Sequence, residues 1–478
     1  MSNKADKINT TPPRGMRDHL PEDLLPRLKV IEKLKRTFRL YGFQPLETPA
    51  LERLEVLAGK SGDEAEKLTY LVMKRGDELK RAYEELSEVK PDGTEGSKLS
   101  TLADMGLRYE FTVSLARVYA QYQSKLPVPF KRYQIGPVWR ADRPQKGRYR
   151  EFVQCDVDIV GTESMLADAE LISLAVDALT ELEMPPFEVH VNNRKLLSAL
   201  SIACGNTPDR FKDFCIALDK LDKIGADGVT NEMKERGLAH EKLPQLWELT
   251  DSSHQRLEEL IGRVEQFTVN VPQCEETTNS LKELFKKVSL LGVKSDKFVF
   301  NPTLARGLDY YTGTVFEAVL KDGSSGSVLG GGRYDELIGI FSGRPVPAVG
   351  FSFGLDRLLD VLSDAGRIDQ NDIVLDVVLL DLEGNDESLE YAGWIVRKLR
   401  EHKVSCELYH KPGVKPGKGL QAVDKRGVPF AILIGSGELS SYKRGDASDY
   451  KITVKHLASG EQKELSLNEA VRWITNNT

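Results

Sequence analysis

Between residues 130 and 161 two apolar runs, FKRYQIGPVWR and EFVQCDVDIVG, flank the polar loop ADRPQKGRYR. That loop gathers Arg140, Arg143, Arg148 and Arg150 around Pro144 and Gly147. Planar guanidinium forks match phosphate oxygens two at a time, so the cluster has the chemistry of a phosphate cradle. Taken alone, a solvated basic loop is an equal reading. Beyond the loop, Val153, Cys155, Val157 and Ile159 alternate, which sets Gln154, Asp156 and Asp158 on the opposite face of the same strand. GGGR at 330–333 permits close backbone approach without Cβ interference, or simply a tight turn. Gly59-Lys60-Ser61 looks like the tail of a P-loop, but the glycine required five positions earlier is Leu54. ATP, if used, must be held by other means. The five cysteines (155, 204, 215, 274, 406) are scattered, with no C-x-x-C, no Cys/His ligand spacing and no H-E-x-x-H, so neither zinc nor a disulfide framework is expected.

The elements that must position these residues follow from periodicity. Leu24, Leu28, Ile31, Leu34 and Phe38 recur at three- and four-residue steps and predict an amphipathic helix ending near Gly42. QPLETPAL, residues 44–51, reads as an extended segment broken by its prolines. Residues 89–98 read as an exposed loop. The two apolar runs around the arginine loop predict an antiparallel hairpin with a long basic tip. A further strand is expected at 187–191, and 196–291 then reads as a helical, charge-rich insertion. Strand patterning returns at 298–300, 314–320 and 346–353, followed by a helix over 355–362. From 372 strands and helices alternate as a separate α/β domain, with the boundary between 364 and 371.

A chain of 478 residues is long enough for two or three domains, and 40% hydrophobic with 29% charged content describes an ordinary globular balance. Residues 1–13 are polar and lack a secretory signal's apolar run, and no stretch is apolar enough to span a bilayer, so a cytoplasmic protein is expected. The formal charge of −7 argues against a nucleic-acid partner until it is resolved locally. Residues 131–150 hold seven Lys or Arg against one acid, and residues 391–444 hold eleven against four. Two basic patches on an acidic chain fit a protein that grips a long polyanion at two places.

These segments resemble the motifs of class II aminoacyl-tRNA synthetases in their histidyl-tRNA synthetase form. The hairpin with Arg140 and PQKGRYREF is similar to motif 2, GFQPLETPALE (42–52) to motif 1, and AVGFSFGLDRLL (348–359) to motif 3. Arg14-Gly15-Met16-Arg17-Asp18 resembles the family's N-terminal R-G-x-x-D. LARGLDYYTGTVFE (304–317) and GGRYDEL (331–337) resemble the two blocks peculiar to the histidine enzymes, and they narrow the likeness beyond class II. The match runs from about residue 12 to the C-terminal domain.

The resemblance implies an α+β fold. An antiparallel-sheet catalytic domain would occupy 1–365 with the 196–291 insertion inside it, and an α/β anticodon-binding domain would occupy 372–478. It implies ATP-dependent activation of histidine with release of pyrophosphate, then transfer to the 3′ end of tRNA(His), by a homodimer built on motif 1. Arg140 would hold the α-phosphate, Arg148 and Arg357 the β/γ end, and Arg306 both the carboxylate and the α-phosphate, where other class II enzymes often use a metal. Mg²⁺ is expected on the ATP phosphates, with no ligand assigned to the protein. Glu110 and Thr112, with Gln154, would receive the amino acid's ammonium group; a helix-start carboxylate beside a Thr N-cap is the structural alternative. Asp158 and Tyr311 would read the imidazole, with Tyr310 in the core, although the two tyrosines are interchangeable from composition alone. Bacterial members commonly carry Glu where this chain has Asp158. Asp309 and Glu317 read equally as scaffold. KPGVKPGKG (411–419) is the segment of the C-terminal domain most suited to RNA. Non-catalytic relatives lose charged site residues or the anticodon domain, and this chain keeps Arg140, Arg306, Arg357, Glu110 and Gln154.

Overall fold

The alternation read from residues 151–160 is realised as a central strand. In the computed structural model, residues 8–58, 67–88, 101–144, 147–250, 257–272, 274–305, 310–368, 374–443 and 450–477 are described. The loop expected at 89–98, the Gly59-Lys60-Ser61 segment, Arg306 and Asp309 lie outside them. Eleven strands of the larger unit are β1 Gln44–Pro45, β2 Leu51–Arg53, β3 Tyr70–Met73, β4 Ala103–Leu107, β5 Phe130–Trp139, β6 Glu151–Val160, β7 Phe187–Asn193, β8 Phe298–Phe300, β9 Thr314–Leu320, β10 Leu329–Arg333 and β11 Ala348–Gly354. Eight of them form one sheet in the order β1-β5-β6-β11-β10-β9-β7-β8. The sheet is antiparallel except at its margins, where β1 pairs with β5 and β7 with β8 in parallel.

β6 sits between β5 and β11, and its inward side chains Cys155, Val157 and Ile159 are buried. Helix Met165–Glu181 packs on that apolar side with Leu171, Ile172, Leu174 and Leu179, its N-terminus capped by Ser164 accepting from the Leu166 N–H. Helix Pro21–Leu40 buries Leu34 and Phe38 as the periodicity predicts, whereas Leu28 is exposed. Arg27 is buried in its place because its guanidinium pairs with Asp356. A hydrophobic-period reading counts arginine as polar and so misses that face. β2, β4 and β3 form a small separate sheet, and neither β3 nor β4 was anticipated.

Between β7 and β8 the described residues form helices from Arg194–Ala203 to Cys274–Leu290, with Leu200, Phe214, Val229, Ile261 and Leu281 inside. The smaller unit comprises residues 369–478 and 20–26, the larger residues 1–19 and 27–368. Its strands β12 Val377–Asp381, β13 Cys406–Leu408, β14 Phe430–Ile434, β15 Lys451–His456 and β16 Gln462–Ser466 are ordered β13-β12-β14-β15-β16. The first three run parallel, while β15 and β16 close the sheet antiparallel. β16 and helix Ser436–Lys443 go beyond the elements expected from the sequence.

Candidate active site

Gln154, Asp156 and Asp158 lie on the face of β6 turned away from its apolar core side. Across β5 they face Gly136, Gln134 and Arg132, and across β11 Gly354, Ser352 and Gly350. Asp158 fits only because position 350 is glycine, since a Cβ there would fall 2.0 Å from its Oδ1. The GGGR segment is not a tight turn: Gly330, Gly331 and Gly332 belong to β10. A Cβ on Gly331 would lie 2.5 Å from the Gly350 carbonyl oxygen, and one on Gly332 2.8 Å from the Tyr311 ring. Close strand and ring approach is the reason for these glycines.

Both Asp158 oxygens are engaged within the fold. Arg132, whose side chain is 0% exposed, forms an ion pair with Oδ2 at 2.7 Å, and the Tyr334 hydroxyl donates to Oδ1. Burial pushes the Asp158 carboxyl up, and Arg132 and Tyr334 pull against it. For Asp156 burial dominates and drives the carboxyl to about 7, with Arg132 and a hydrogen bond from Ser352 lowering it and Asp158 raising it. Glu110 is likewise raised to about 7 by burial, against the attraction of Arg140. The Tyr310 hydroxyl donates to Glu110 Oε2 at 3.4 Å.

Thr112 is the first residue of helix Thr112–Tyr122, and the N-cap position belongs to Phe111 without a side-chain bond. A Thr cap beside Glu110 is therefore not formed. Tyr310 is buried and its ring meets Tyr311 edge-on at 4.9 Å and Tyr334 at 5.7 Å. With Tyr310 tied to Glu110 and Tyr334 to Asp158, the half-buried Tyr311 borders the same space. Arg132 and Tyr334 were not singled out by sequence reasoning. Arg132 was counted in a basic surface patch, and the only pointer to Tyr334 was its place in the GGRYD block.

The arginines at the other end rest on neutral or loop acceptors. Arg140 Nε donates to the Tyr109 carbonyl at 3.1 Å and its guanidinium lies 5.2 Å from the Phe152 ring centroid. Arg148 pairs with Asp142 at 2.6 Å, and Arg357, on helix Leu355–Asp364, donates to the Ser327 carbonyl. The N-terminal R-G-x-x-D segment clasps this region. The Arg150 N–H donates to the Gly15 carbonyl at 2.8 Å, and Arg17 lies 3.4 Å over the Tyr149 ring while reaching Asp356 at 2.6 Å. Asp356 also takes Arg27 at 2.8 Å and the Val153 N–H at 3.2 Å. Burial works to raise its carboxyl, but Arg27 and Arg17 hold it below the ordinary range.

The 131–150 patch is less of a surface than its charge count suggests. Arg132 is internal, and Lys131 pairs with Glu170 at 2.6 Å. All five cysteines are buried, and among the described residues no group of three His, Cys, Asp or Glu side chains is arranged to hold a metal ion. No helix among the described residues is long and apolar enough to cross a membrane.

The chain is similar to known proteins in sequence and in fold. The histidyl-tRNA synthetase family model matches residues 92–358, and an anticodon binding domain matches residues 376–477. A histidine–tRNA ligase of Christiangramia forsetii is 38% identical over 464 residues, covering 95% of this chain and 97% of that protein. One from Flavobacterium johnsoniae is 38% identical over 94% of this chain and 96% of its own length. The crystal structure of histidyl-tRNA synthetase from Nostoc sp. PCC 7120 superposes with a TM-score of 0.80 at 28% identity, covering 99% of this chain and 100% of that one. A structure described as an ATP phosphoribosyltransferase regulatory subunit/histidyl-tRNA synthetase from Bacillus halodurans C reaches a TM-score of 0.67 at 21% identity, over 87% of this chain and 97% of its own, a likeness of fold alone.

Proposed function

The chain belongs to the histidyl-tRNA synthetase family and is a histidine–tRNA ligase, and from that premise we propose how its residues divide the two half-reactions. The histidine is read by the polar face of β6: Glu110, Thr112 and Gln154 take the ammonium group, and Asp158 with Tyr311 takes the imidazole. The observation that carries this reading is the buried set of carboxylates around Gln154, closed on one side by tyrosines and met on another by Arg140. A water-poor site rich in acceptors suits a cationic amino acid with an N–H-bearing side chain.

Activation is attack of the histidine carboxylate on the α-phosphate of ATP, so charge grows on phosphate oxygens and must be met by fixed cations. Arg140 serves the α-phosphate, and Arg148 and Arg357 serve the β/γ end. Mg²⁺ enters on the triphosphate as its counter-ion. Arg306, outside the described residues, is assigned to the carboxylate and α-phosphate on the resemblance of its RGLDYY block. The second half-reaction uses tRNA(His), held in part through the anticodon-binding domain, where Lys415 and Lys418 flank the start of helix Pro416–Asp424.

Two copies meet along motif 1, a reading supported by exposed Leu51 and Met105 beside a groove of about 640 Å³ lined by Glu47, Glu52, Arg117 and Tyr122. The cytoplasm, where translation consumes the product, is the proposed location. The direct test is ATP–pyrophosphate exchange across a panel of amino acids: histidine alone should support it. Exchange with another amino acid and none with histidine would refute the assignment.

A further inference from the structure

The face of β6 that carries Gln154 and Asp158 also carries Asp156 between them, and the motif resemblance assigns that residue no role. Asp156 is 4% exposed. Its neighbour two positions on is served from within, by Arg132 at 2.7 Å on one oxygen and by the Tyr334 hydroxyl on the other. Asp156 Oδ1 has no hydrogen-bond partner among the described residues, and the same is true of Glu110 Oε1 and Gln154 Oε1; Asp158 Oδ2 also lacks a hydrogen bond, but it has its ion pair with Arg132. All three atoms are shielded from solvent.

Buried acceptors are ordinarily paired, and a buried carboxylate calls for a cation as well. Asp156 lies close enough to Glu110 to be among the groups that raise the Glu110 carboxyl, and burial takes both to about 7. What satisfies two carboxylate oxygens and one amide oxygen together is a cation with three N–H donors. A primary ammonium group has three; a neutral imidazole has one. Arg132 forms an ion pair with Asp158 Oδ2 and also lowers the Asp156 carboxyl, but it hydrogen-bonds neither and leaves the Asp156 Oδ1 acceptor unfilled.

We propose that Asp156 is a ligand of the amino acid's α-ammonium group, taking one N–H on Oδ1 while Glu110 Oε1 and Gln154 Oε1 take the other two. This rests on the reading of Glu110 and Gln154 as the ammonium site, and it leaves Thr112, which shares a hydrogen bond with Tyr310, bordering that site without an N–H of its own. Asp156 and Asp158, two residues apart, then have separate tasks. Asp156 selects the charged amine, and Asp158, fixed by Arg132 and Tyr334, faces the side chain.

Two competitive inhibitors of histidine-dependent pyrophosphate exchange separate these tasks. Histidinol keeps the ammonium and the imidazole, and 3-(imidazol-4-yl)propionate keeps the imidazole and the carboxylate but lacks the ammonium. Asp156→Asn should raise the inhibition constant of histidinol by about tenfold or more, the scale of one charge-assisted hydrogen bond, and that of the propionate by less than about twofold. Equal losses for both inhibitors, or no loss for either, would overturn the proposal. Should Asp156→Asn fold poorly by thermal melting, Asp156→Ser carries the same comparison. Glu110→Gln run in parallel tests the underlying reading. A selective loss in Glu110→Gln without one in Asp156→Asn removes Asp156 alone, and no selective loss in either removes the ammonium site itself.

Discussion

The two ends of the site are built on opposite principles. At the histidine end, Arg132 is 0% exposed and its partner Asp158 4%, so cation, carboxylate and Tyr334 hydroxyl form a set fixed before substrate arrives. At the phosphate end, Arg148 is 54% exposed and its guanidinium rests on loop Asp142. A buried ion pair gives up hydration and regains it only through geometry, whereas an exposed pair contributes little and is easily exchanged. The difference suits the tasks. On the roles proposed above, an imidazole would be told from other side chains by acceptors that do not move, and a triphosphate would be gathered by arginines that trade weak partners for phosphate oxygens.

The largest effect expected from this contrast is on stability. Asp158→Ala leaves Arg132 as a buried cation without its ion-pair partner, a change that costs about 3–5 kcal/mol in such pairs, whereas Arg148→Ala should stay within about 0.5 kcal/mol. Chemical denaturation of both variants checks the pair, and equal losses would break the contrast. Next in size is the rate effect at Arg306. Arg306→Ala should slow single-turnover adenylate formation by about 10²–10³, the scale for losing one preorganised donor, and should slow transfer from preformed histidyl-adenylate less. Lysine at 306 supplies the charge without the fork and should rescue only partly. Normal adenylate formation in Arg306→Ala would remove that residue from the mechanism.

How much of this was legible in the chain depends on the separation of the partners. The alternation that sets Gln154, Asp156 and Asp158 on one face is a local property and reads directly from residues 151–160. The pairings that give those side chains their character are not local: Tyr334 reaches Asp158 across 176 positions and Arg17 reaches Asp356 across 339. Arg132 illustrates the cost of a composition count. It belongs to a run of basic residues, yet strand alternation turns it inward beside Asp158. The glycines of GGGR were visible as glycines, but only strand packing explains why a Cβ is excluded from 331 and 332.

A smaller effect sharpens the comparison through pH. Burial raises the Glu110 carboxyl to about 7, so between its ordinary range and 7 the folded state binds more protons than the unfolded chain. Its contribution to stability therefore falls as pH rises through that window and stays unfavourable above it. Glu110→Gln should raise the melting temperature of the substrate-free enzyme at pH 8 while weakening histidine binding. A lower melting temperature would mean that Glu110 already has its counter-charge. The smallest expected effect lies in the anticodon-binding domain. Charge reversal at Lys415 and Lys418 should raise the tRNA KM and flatten its salt dependence without touching pyrophosphate exchange, and an unchanged tRNA KM would end the role given to that segment.

The division of labour itself is tested most directly by measuring KM for histidine and for ATP in the same exchange assay on Asp158→Asn and Arg148→Ala. Asp158→Asn keeps the side-chain shape and removes the charge that we assign to the imidazole. It should raise the histidine KM and leave that for ATP, and Arg148→Ala should do the reverse. Both constants rising together in each variant would contradict separate ends and make Asp158 a structural carboxylate.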